Sequence, residues 1–180
     1  INNLFNNYFL RNRCKNLRSL VENWKSNQYF EKRMKIFRDC VKIINNSRKT
    51  ANFSNLVVPT LITQIDGIQR DIMDFYDLNK YPDEIKSKLN NRKNSQETYY
   101  RTLTKDDWIY DAMNDIFLKV LFQTAYPRTG YTYPMHFSRH KILHGNNINY
   151  GRTDYSWRCF MILDKVNTLA DLKNLESKKN

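Results

Sequence analysis

The chain has 180 residues, enough for one domain with a hydrophobic core and too few for two domains of ordinary size. Four glycines and four prolines are few for sandwiches or barrels, which need many turns, so the composition predicts an all-α protein of long helices. There is no apolar run long enough to cross a bilayer and no pattern of a signal peptide. We therefore expect a cytoplasmic protein with no membrane partner.

Positive charge is concentrated near the amino terminus. The chain carries a net charge of +12, and residues 1–50 contain twelve Lys and Arg against three Asp and Glu, a net charge of +9. Such a basic segment is typical of proteins that bind RNA. Biased codon usage would also enrich a chain in lysine and asparagine, so charge alone leaves both explanations open.

The three cysteines, Cys14, Cys40 and Cys159, lie far apart and form no CxxC pair. This spacing favours reduced, buried packing residues over a disulfide framework or a zinc knuckle. The chain begins at Ile1 rather than at a methionine, which is consistent with a processed chain or a fragment of a longer protein that has an additional effector or sensor domain.

Helical periodicity predicts the first three helices. Residues 1–25 form a basic amino-terminal helix outside the core bundle, which we place at residues 28–168 of a single domain spanning residues 1–180. A second helix has apolar residues at steps of 4, 3, 4 and 3: Phe30, Met34, Phe37, Val41 and Ile44. A third helix, capped by Ser54 or Asn55, has a similar face: Leu61, Ile65, Ile68, Ile72 and Phe75. We expect its proline, Pro59, to fall in the first turn.

The rest of the chain contains a polar connection and further helices. Residues 83–103 are polar and lysine-rich, which predicts a short helix and a mobile connection. A fourth long helix has apolar positions at Ile109, Met113, Ile116 and Val120. Pro134 is placed to begin a helix that ends at Gly145. Thr153 or Asp154 caps a last core helix, which continues into a polar tail and has an inward face: Tyr155, Cys159, Ile162 and Val166.

The segment RHKILHG, residues 139–145, contains the residues best suited to catalysis. All three histidines of the chain, His136, His140 and His144, lie within nine residues, with Arg139 between the first two. On an ideal helix the histidines share one face, whereas Arg139 and His144 point about 140° apart. A site that uses both must distort the helix or combine two chains.

Three interpretations of the histidine row follow from the chemistry of imidazole. Histidines at i and i+4 can chelate zinc, although no HExxH pattern is present. A histidine near a helix end can also have a structural role, in which it bonds to backbone carbonyls. In the third, a neutral histidine takes a proton from a ribose 2′-hydroxyl and an arginine stabilises the phosphate as negative charge builds up. That chemistry requires no metal and no cofactor.

The motif RHKILHG, followed by NNINYG and a capped apolar helix, resembles the signature of the HEPN superfamily. That signature is an arginine, four to six residues of which the first is usually polar, and a histidine. Here the three positions are Arg139, His140 and His144. The stretch LVVPTLITQIDGI at residues 56–68 also resembles a second signature, which occurs in HEPN domains of bacterial phage-defence proteins.

The resemblance implies an all-α HEPN-like bundle of four to five core helices with short peripheral helices, and a homodimer that brings both RxxxxH motifs to one cleft. It also implies metal-independent cleavage of RNA to a 2′,3′-cyclic phosphate, in phage defence, abortive infection or a toxin system with an antitoxin as a further partner. By matching positions, Arg139 would orient the scissile phosphate and His144 would act as general base or acid. His140 would support them, and His136 matches no position of the motif.

Other residues are candidates for supporting roles. Asp66 and Gln64 lie in an otherwise apolar helix, where a carboxylate needs a partner. We expect one of them to orient Arg139 or a histidine, the alternative being exposure on the polar side of the helix. Tyr150 flanks the motif and is placed to stack on an unpaired base. The candidate contacts to RNA are Arg128, Lys141 and Arg152.

Two other classes of function fit the same residues. A catalytically silent HEPN module would use the cleft as a docking surface beside another effector domain. A nucleotide-handling enzyme would transfer or remove an adenylyl group. Incubation of RNA with the protein in EDTA distinguishes these classes, because only the ribonuclease produces cyclic-phosphate ends.

Overall fold

The computed structural model describes residues 2–47, 52–74, 139–145 and 147–177, and every regular element in these ranges is a helix. In chain order they are α1 (Asn2–Asn23), a 3₁₀ turn (Trp24–Ser26), α2 (Gln28–Glu31), α3 (Met34–Ser47), α4 (Ser54–Asp74), α5 (Arg139–Leu143) and α6 (Thr153–Ser177). The predicted all-α class is confirmed for this part of the chain. The predicted fourth helix and the 83–103 connection lie outside the described residues.

The chain divides into two compact units. The first unit consists of Ile1–Ile68 and Asn147–Asn180, and the second of Gln69–Asn146. None of the helices in the described ranges is both long enough and apolar enough to span a membrane.

Helix α6 contributes a large part of the buried core of the first unit. Its predicted inward residues are all buried: Tyr155, Cys159, Ile162 and Val166. Trp157, Phe160 and Leu163 of the same helix are also at most 1 % exposed. A helix that is apolar around most of its circumference must be covered by neighbours on several sides. The predicted core face is therefore confirmed, and it is wider than the sequence pattern indicated.

Helix α1 is interrupted at Arg11–Cys14, where the backbone leaves the right-handed helical region. The last three residues of this range have φ values of 50° to 60°, a left-handed conformation that costs roughly 1–2 kcal/mol per non-glycine residue. Two contacts to α6 hold the segment before the interruption. The ring of Phe9 stacks on that of Trp157 with 5.2 Å between centroids, and Trp157 Nε1 donates to Asn6 Oδ1 at 2.6 Å.

The second part of α1 and the turn that follows it contribute to the core, although the sequence placed residues 1–25 outside it. Leu17, Val21 and Trp24 are each at most 1 % exposed. These apolar residues recur at helical spacing and pack towards α3, while the charged residues between them face solvent. The charged residues of this segment therefore lie on its outer face, and its apolar residues are part of the core.

Trp24 lies at the centre of an aromatic cluster. Its ring centroid is 5.2 Å from that of Phe37, 5.5 Å from Phe30 and 6.3 Å from Phe160. Its Nε1 donates to Asp164 Oδ1 at 3.1 Å, so the polar edge of the ring is satisfied as well. The cluster joins the turn after α1 to α2, α3 and α6.

The apolar face predicted for the second helix is confirmed. All five of its residues are buried: Phe30, Met34, Phe37, Val41 and Ile44. They belong to two helices, because a turn at residues 32–33 separates α2 from α3.

Helix α4 has the predicted apolar face, with Leu61, Ile65 and Ile68 buried. The side chain of Ile72, as well as Phe75, lies outside the described residues. Pro59 is inside the helix rather than in its first turn, so α4 lacks the backbone hydrogen bond that this nitrogen would have donated.

The cap of α4 differs from the prediction. The side-chain oxygen of Asn52 accepts a hydrogen bond from the Ser54 backbone N–H at 3.2 Å, so Asn52 provides the cap. Ser54 instead accepts a hydrogen bond at its Oγ from Ser156 Oγ at 3.0 Å, in a fully buried position. The Asn52 amide also donates to the Gly151 carbonyl, which ties the start of α4 to the loop before α6. Long-range contacts of this kind cannot be read from local sequence.

All three cysteines are free and buried, as their spacing predicted. Burial raises the pKa of the Cys40 thiol to about 12 and also raises the pKa of Cys159. The thiolate is the reactive form, so we expect the native protein to resist a thiol reagent such as DTNB at about pH 8 and to react at all three positions once unfolded. Rapid labelling of the native protein would contradict this.

The same shift has a consequence for stability. The folded-state pKa of Cys40 lies above the ordinary value of 9.0. The contribution of this thiol to the free energy of unfolding is therefore fully present below about pH 9. That contribution is lost as the pH rises towards 12, because the unfolded state then ionises while the folded state does not.

Candidate active site

The predicted motif lies on a short helix and the turn that ends it. Helix α5 begins at Arg139 and ends at Leu143, and His144 and Gly145 form the turn. Gly145 has a φ of +73°, and its N–H donates to the Ile142 carbonyl at 3.2 Å. A left-handed glycine that closes the last turn is a common helix stop, so the role predicted for Gly145 is confirmed, although the last helical residue is Leu143 rather than His144.

The side chains of the motif differ in burial. Ile142 is 4 % exposed and anchors α5, whereas His144 is exposed to solvent. Arg139 and Lys141 are half-buried. His140 lies in α5, but its side chain is outside the described part of the structure. The segment therefore places an accessible imidazole next to a fixed apolar anchor.

The end of α5 changes the geometric expectation for Arg139 and His144. The angle of about 140° applies to two residues of one ideal helix. His144 comes after the last helical residue and lies in the turn. Its direction is therefore not set by the helical repeat, and the helix itself does not force the two side chains apart.

The two residues predicted to support the motif, Asp66 and Gln64, belong to the first unit, whereas Arg139 and His144 belong to the second. Asp66 is buried, with 7 % exposure, so the alternative of an exposed carboxylate is wrong. Gln64 is half-buried, and its amide Nε2 donates to Thr63 Oγ1 at 3.3 Å. Whether either residue orients the motif stays a prediction.

Arg152, a predicted RNA contact, is exposed but bound within the chain. Its Nε donates to Asp154 Oδ1 at 2.9 Å, and its guanidinium lies 5.0 Å from the ring centroid of Tyr155. The hydrogen bond to Asp154 raises the pKa of Arg152. These contacts stabilise the first turn of α6, where a carboxylate also complements the helix dipole. Tyr150 is half-buried, and its carbonyl accepts from the Arg152 N–H at 2.8 Å.

Two predicted residues, His136 and Arg128, lie outside the described residues, as does the predicted helix start at Pro134. In the ranges that the structure does describe, no group of three His, Cys, Asp or Glu side chains could hold a metal ion. The zinc interpretation concerned the histidine row, which is only partly described, so it stays a prediction.

Comparisons with known proteins give no relative for this chain: no family model, no curated protein and no solved structure matches it. The similarity to the HEPN superfamily therefore depends on the motif residues.

Proposed function

We propose that the protein is a metal-independent endoribonuclease of the HEPN type that acts in phage defence, abortive infection or a toxin system. The observation that carries this proposal is the position of His144. It is exposed, it follows the end of α5 directly, and it lies five residues after a half-buried arginine, Arg139.

The chemistry assigned to these residues is transesterification. His144, as the neutral imidazole, takes the proton of a ribose 2′-hydroxyl, whose oxygen then attacks the adjacent phosphorus. The bond from phosphorus to the 5′-oxygen breaks, and the leaving oxygen takes a proton from a second group. The products are a 2′,3′-cyclic phosphate and a 5′-hydroxyl. Arg139 stabilises the negative charge that builds up on the phosphate oxygens.

A homodimer would supply the second acid or base. Two copies of the chain contain two Arg139 and two His144 side chains, so one imidazole can remove a proton while the other returns one. His140 is the candidate within the same chain for the supporting role. The +12 net charge of the chain would favour association with a polyanion such as RNA.

The test is incubation of the purified protein with end-labelled RNA in EDTA. We expect fragments that end in a 2′,3′-cyclic phosphate, and we expect an RNA with a single 2′-deoxy nucleotide at the cut position to stay intact there, because the nucleophile is missing. No cleavage would favour the catalytically silent HEPN module. Cleavage that requires added metal, or that continues at the 2′-deoxy position, would overturn the mechanism.

A further inference from the structure

Among the described residues of the first unit, the excess of positive charge lies in the first helices. Residues 2–47 contain ten Lys and Arg against three Asp and Glu, a net charge of +7. Residues 52–68 have a net charge of −1, from Asp66, and residues 147–177 contain four of each sign. Among the described residues of this unit, the excess therefore lies on α1, α2 and α3 and the turns between them.

Six of these cations form two rows at helical spacing, which we call the basic face. Lys15, Arg18 and Lys25 form one row along α1 and the following 3₁₀ turn, and Lys35, Arg38 and Lys42 form the other along α3. All six are exposed. Residues three and four apart lie on the same side of a helix, so Lys15 and Arg18 share one side of α1, and the three cations of the second row share one side of α3. Lys25 continues the first row into the 3₁₀ turn.

One residue of the first row and two of the second line a recess of about 280 Å³ between α1 and α3. Its lining includes Arg18, Arg38 and Lys42 from the basic face and two buried valines, Val21 and Val41. A group that enters this recess would therefore meet both an apolar surface and a cationic rim.

Two exposed ion pairs bridge or border the recess, and the residues that line it keep a net positive charge. The Arg38 guanidinium donates to both oxygens of Glu22, at 2.6 and 2.5 Å, and Lys42 Nζ lies 3.1 Å from Asp39 Oδ1. These side chains are between 43 % and 73 % exposed. Ion pairs at such exposure contribute little stability, so a phosphate can replace a carboxylate at small cost.

Another lining residue, Asn45, supplies an acceptor that lacks a donor. Its side-chain oxygen is buried and has no hydrogen-bond partner among the described residues. A buried acceptor without a donor is unfavourable, so a ligand that carries an N–H or O–H group would stabilise the recess. An inorganic anion such as sulfate offers no such donor.

We propose that the basic face binds single-stranded nucleic acid, with the phosphodiester backbone along the two rows and one base or sugar in the recess. The charges match the phosphates, the valines match the apolar face of a base or ribose, and the Asn45 oxygen matches a base N–H or a hydroxyl. A duplex keeps its bases paired and stacked, so it cannot insert one into the recess without unpairing. This binding does not require the proposed cleavage activity.

The apolar side of α3 argues against an anionic membrane as the partner. Membrane-surface helices insert their apolar face among the lipids. The apolar face of α3, represented by Phe37, Val41 and Ile44, is buried in the protein core and is not available for insertion.

The test is fluorescence anisotropy with a labelled single-stranded 2′-deoxy oligonucleotide, which the 2′-hydroxyl mechanism cannot cleave. Binding and cleavage are therefore measured separately. For the double variant Arg18→Gln/Lys42→Gln we expect binding about 10-fold weaker at 0.1 M salt, with a salt slope lower by about 1.4, since each single-strand phosphate contact contributes about 0.7.

The matched control is Arg158→Gln/Lys165→Gln, which removes the same charge from exposed positions of α6. We expect its binding to be close to that of the wild type. Glu22→Gln should change binding in the opposite direction, because it removes a carboxylate from the rim and releases Arg38. Tighter binding by this variant cannot result from misfolding.

The proposal is overturned if both double variants weaken binding equally, since that result indicates net charge alone. It is also overturned if a duplex of the same length binds as tightly as the single strand, or if the protein binds vesicles of anionic phospholipid and not the oligonucleotide. Retained oligonucleotide binding without any RNA cleavage would support the basic face and count against the proposed nuclease.

Discussion

Protein that carries His144→Ala is expected to cleave RNA about 10²- to 10⁴-fold more slowly than the wild type, the range by which a general acid or base accelerates a reaction. The imidazole is exposed and follows the last residue of α5, so its removal leaves the helix anchor at Ile142 in place. Initial rates on end-labelled RNA in EDTA give the ratio, and circular dichroism reports the fold. The matched control is Leu143→Ala, a neighbouring change without a titratable group, which should retain activity.

Arg139→Lys tests the other half of the motif. Lysine keeps the positive charge but lacks the planar fork that bonds a phosphate at two points, so we expect a large loss of cleavage with the charge preserved. Wild-type rates in both His144→Ala and Arg139→Lys would remove these residues from the mechanism. Loss of cleavage in the Leu143→Ala control as well would indicate that activity depends on the structure of the turn rather than on the imidazole.

Trp24→Ala is expected to lower the free energy of unfolding by about 3–5 kcal/mol, the usual cost of truncating a buried tryptophan. The ring is fully buried and contacts Phe30, Phe37 and Phe160, so the substitution leaves a cavity where the turn after α1 meets α2, α3 and α6. It also removes the donor to Asp164. In a chain of this length we expect the melting temperature to fall by about 10 °C.

Two further variants separate the causes of that loss. Trp24→Phe keeps most of the ring contacts and removes the hydrogen bond to Asp164, so it should cost less than the alanine variant. Leu4→Ala, at a position that is 71 % exposed, should change stability by no more than about 0.5 kcal/mol. A melting temperature for Trp24→Ala equal to that of the wild type would mean that the amino-terminal segment does not contribute to the core.

The basic face shows what a local reading of charge omits. The excess of lysine and arginine near the amino terminus is visible in the sequence, and so is the spacing of each row. Helices α1 and α3 pack against each other with a recess between them, although they are distant in sequence. This packing places cations of the two rows near one another. The sequence predicted cationic residues, and the packing of two helices made them a surface.

The candidate site divides in the same way. Arg139 and His144 are predictable because their residue types and spacing match a known motif, and Gly145 predicted the end of the helix, which its φ confirms. The sequence did not indicate that α5 ends before His144, which is the feature that frees the imidazole from the helical repeat. Arg152 was chosen for its proximity to the motif, and its contacts with Asp154 became visible only in the fold.

For the core, the sequence by itself determined one inward face on each of α3, α4 and α6, because the backbone of a helix repeats every 3.6 residues and apolar side chains at that period share one side. The tertiary structure alone decided that α1 breaks at Arg11–Cys14, that α6 is buried on several sides and that Asn52 at the start of α4 also bonds to Gly151. Such features involve partners distant in sequence, as Trp157 is for Phe9 and Asn6, and Gly151 for Asn52. Such contacts stabilise the protein only when the helices pack together, so the periodicity of a single helix does not predict them.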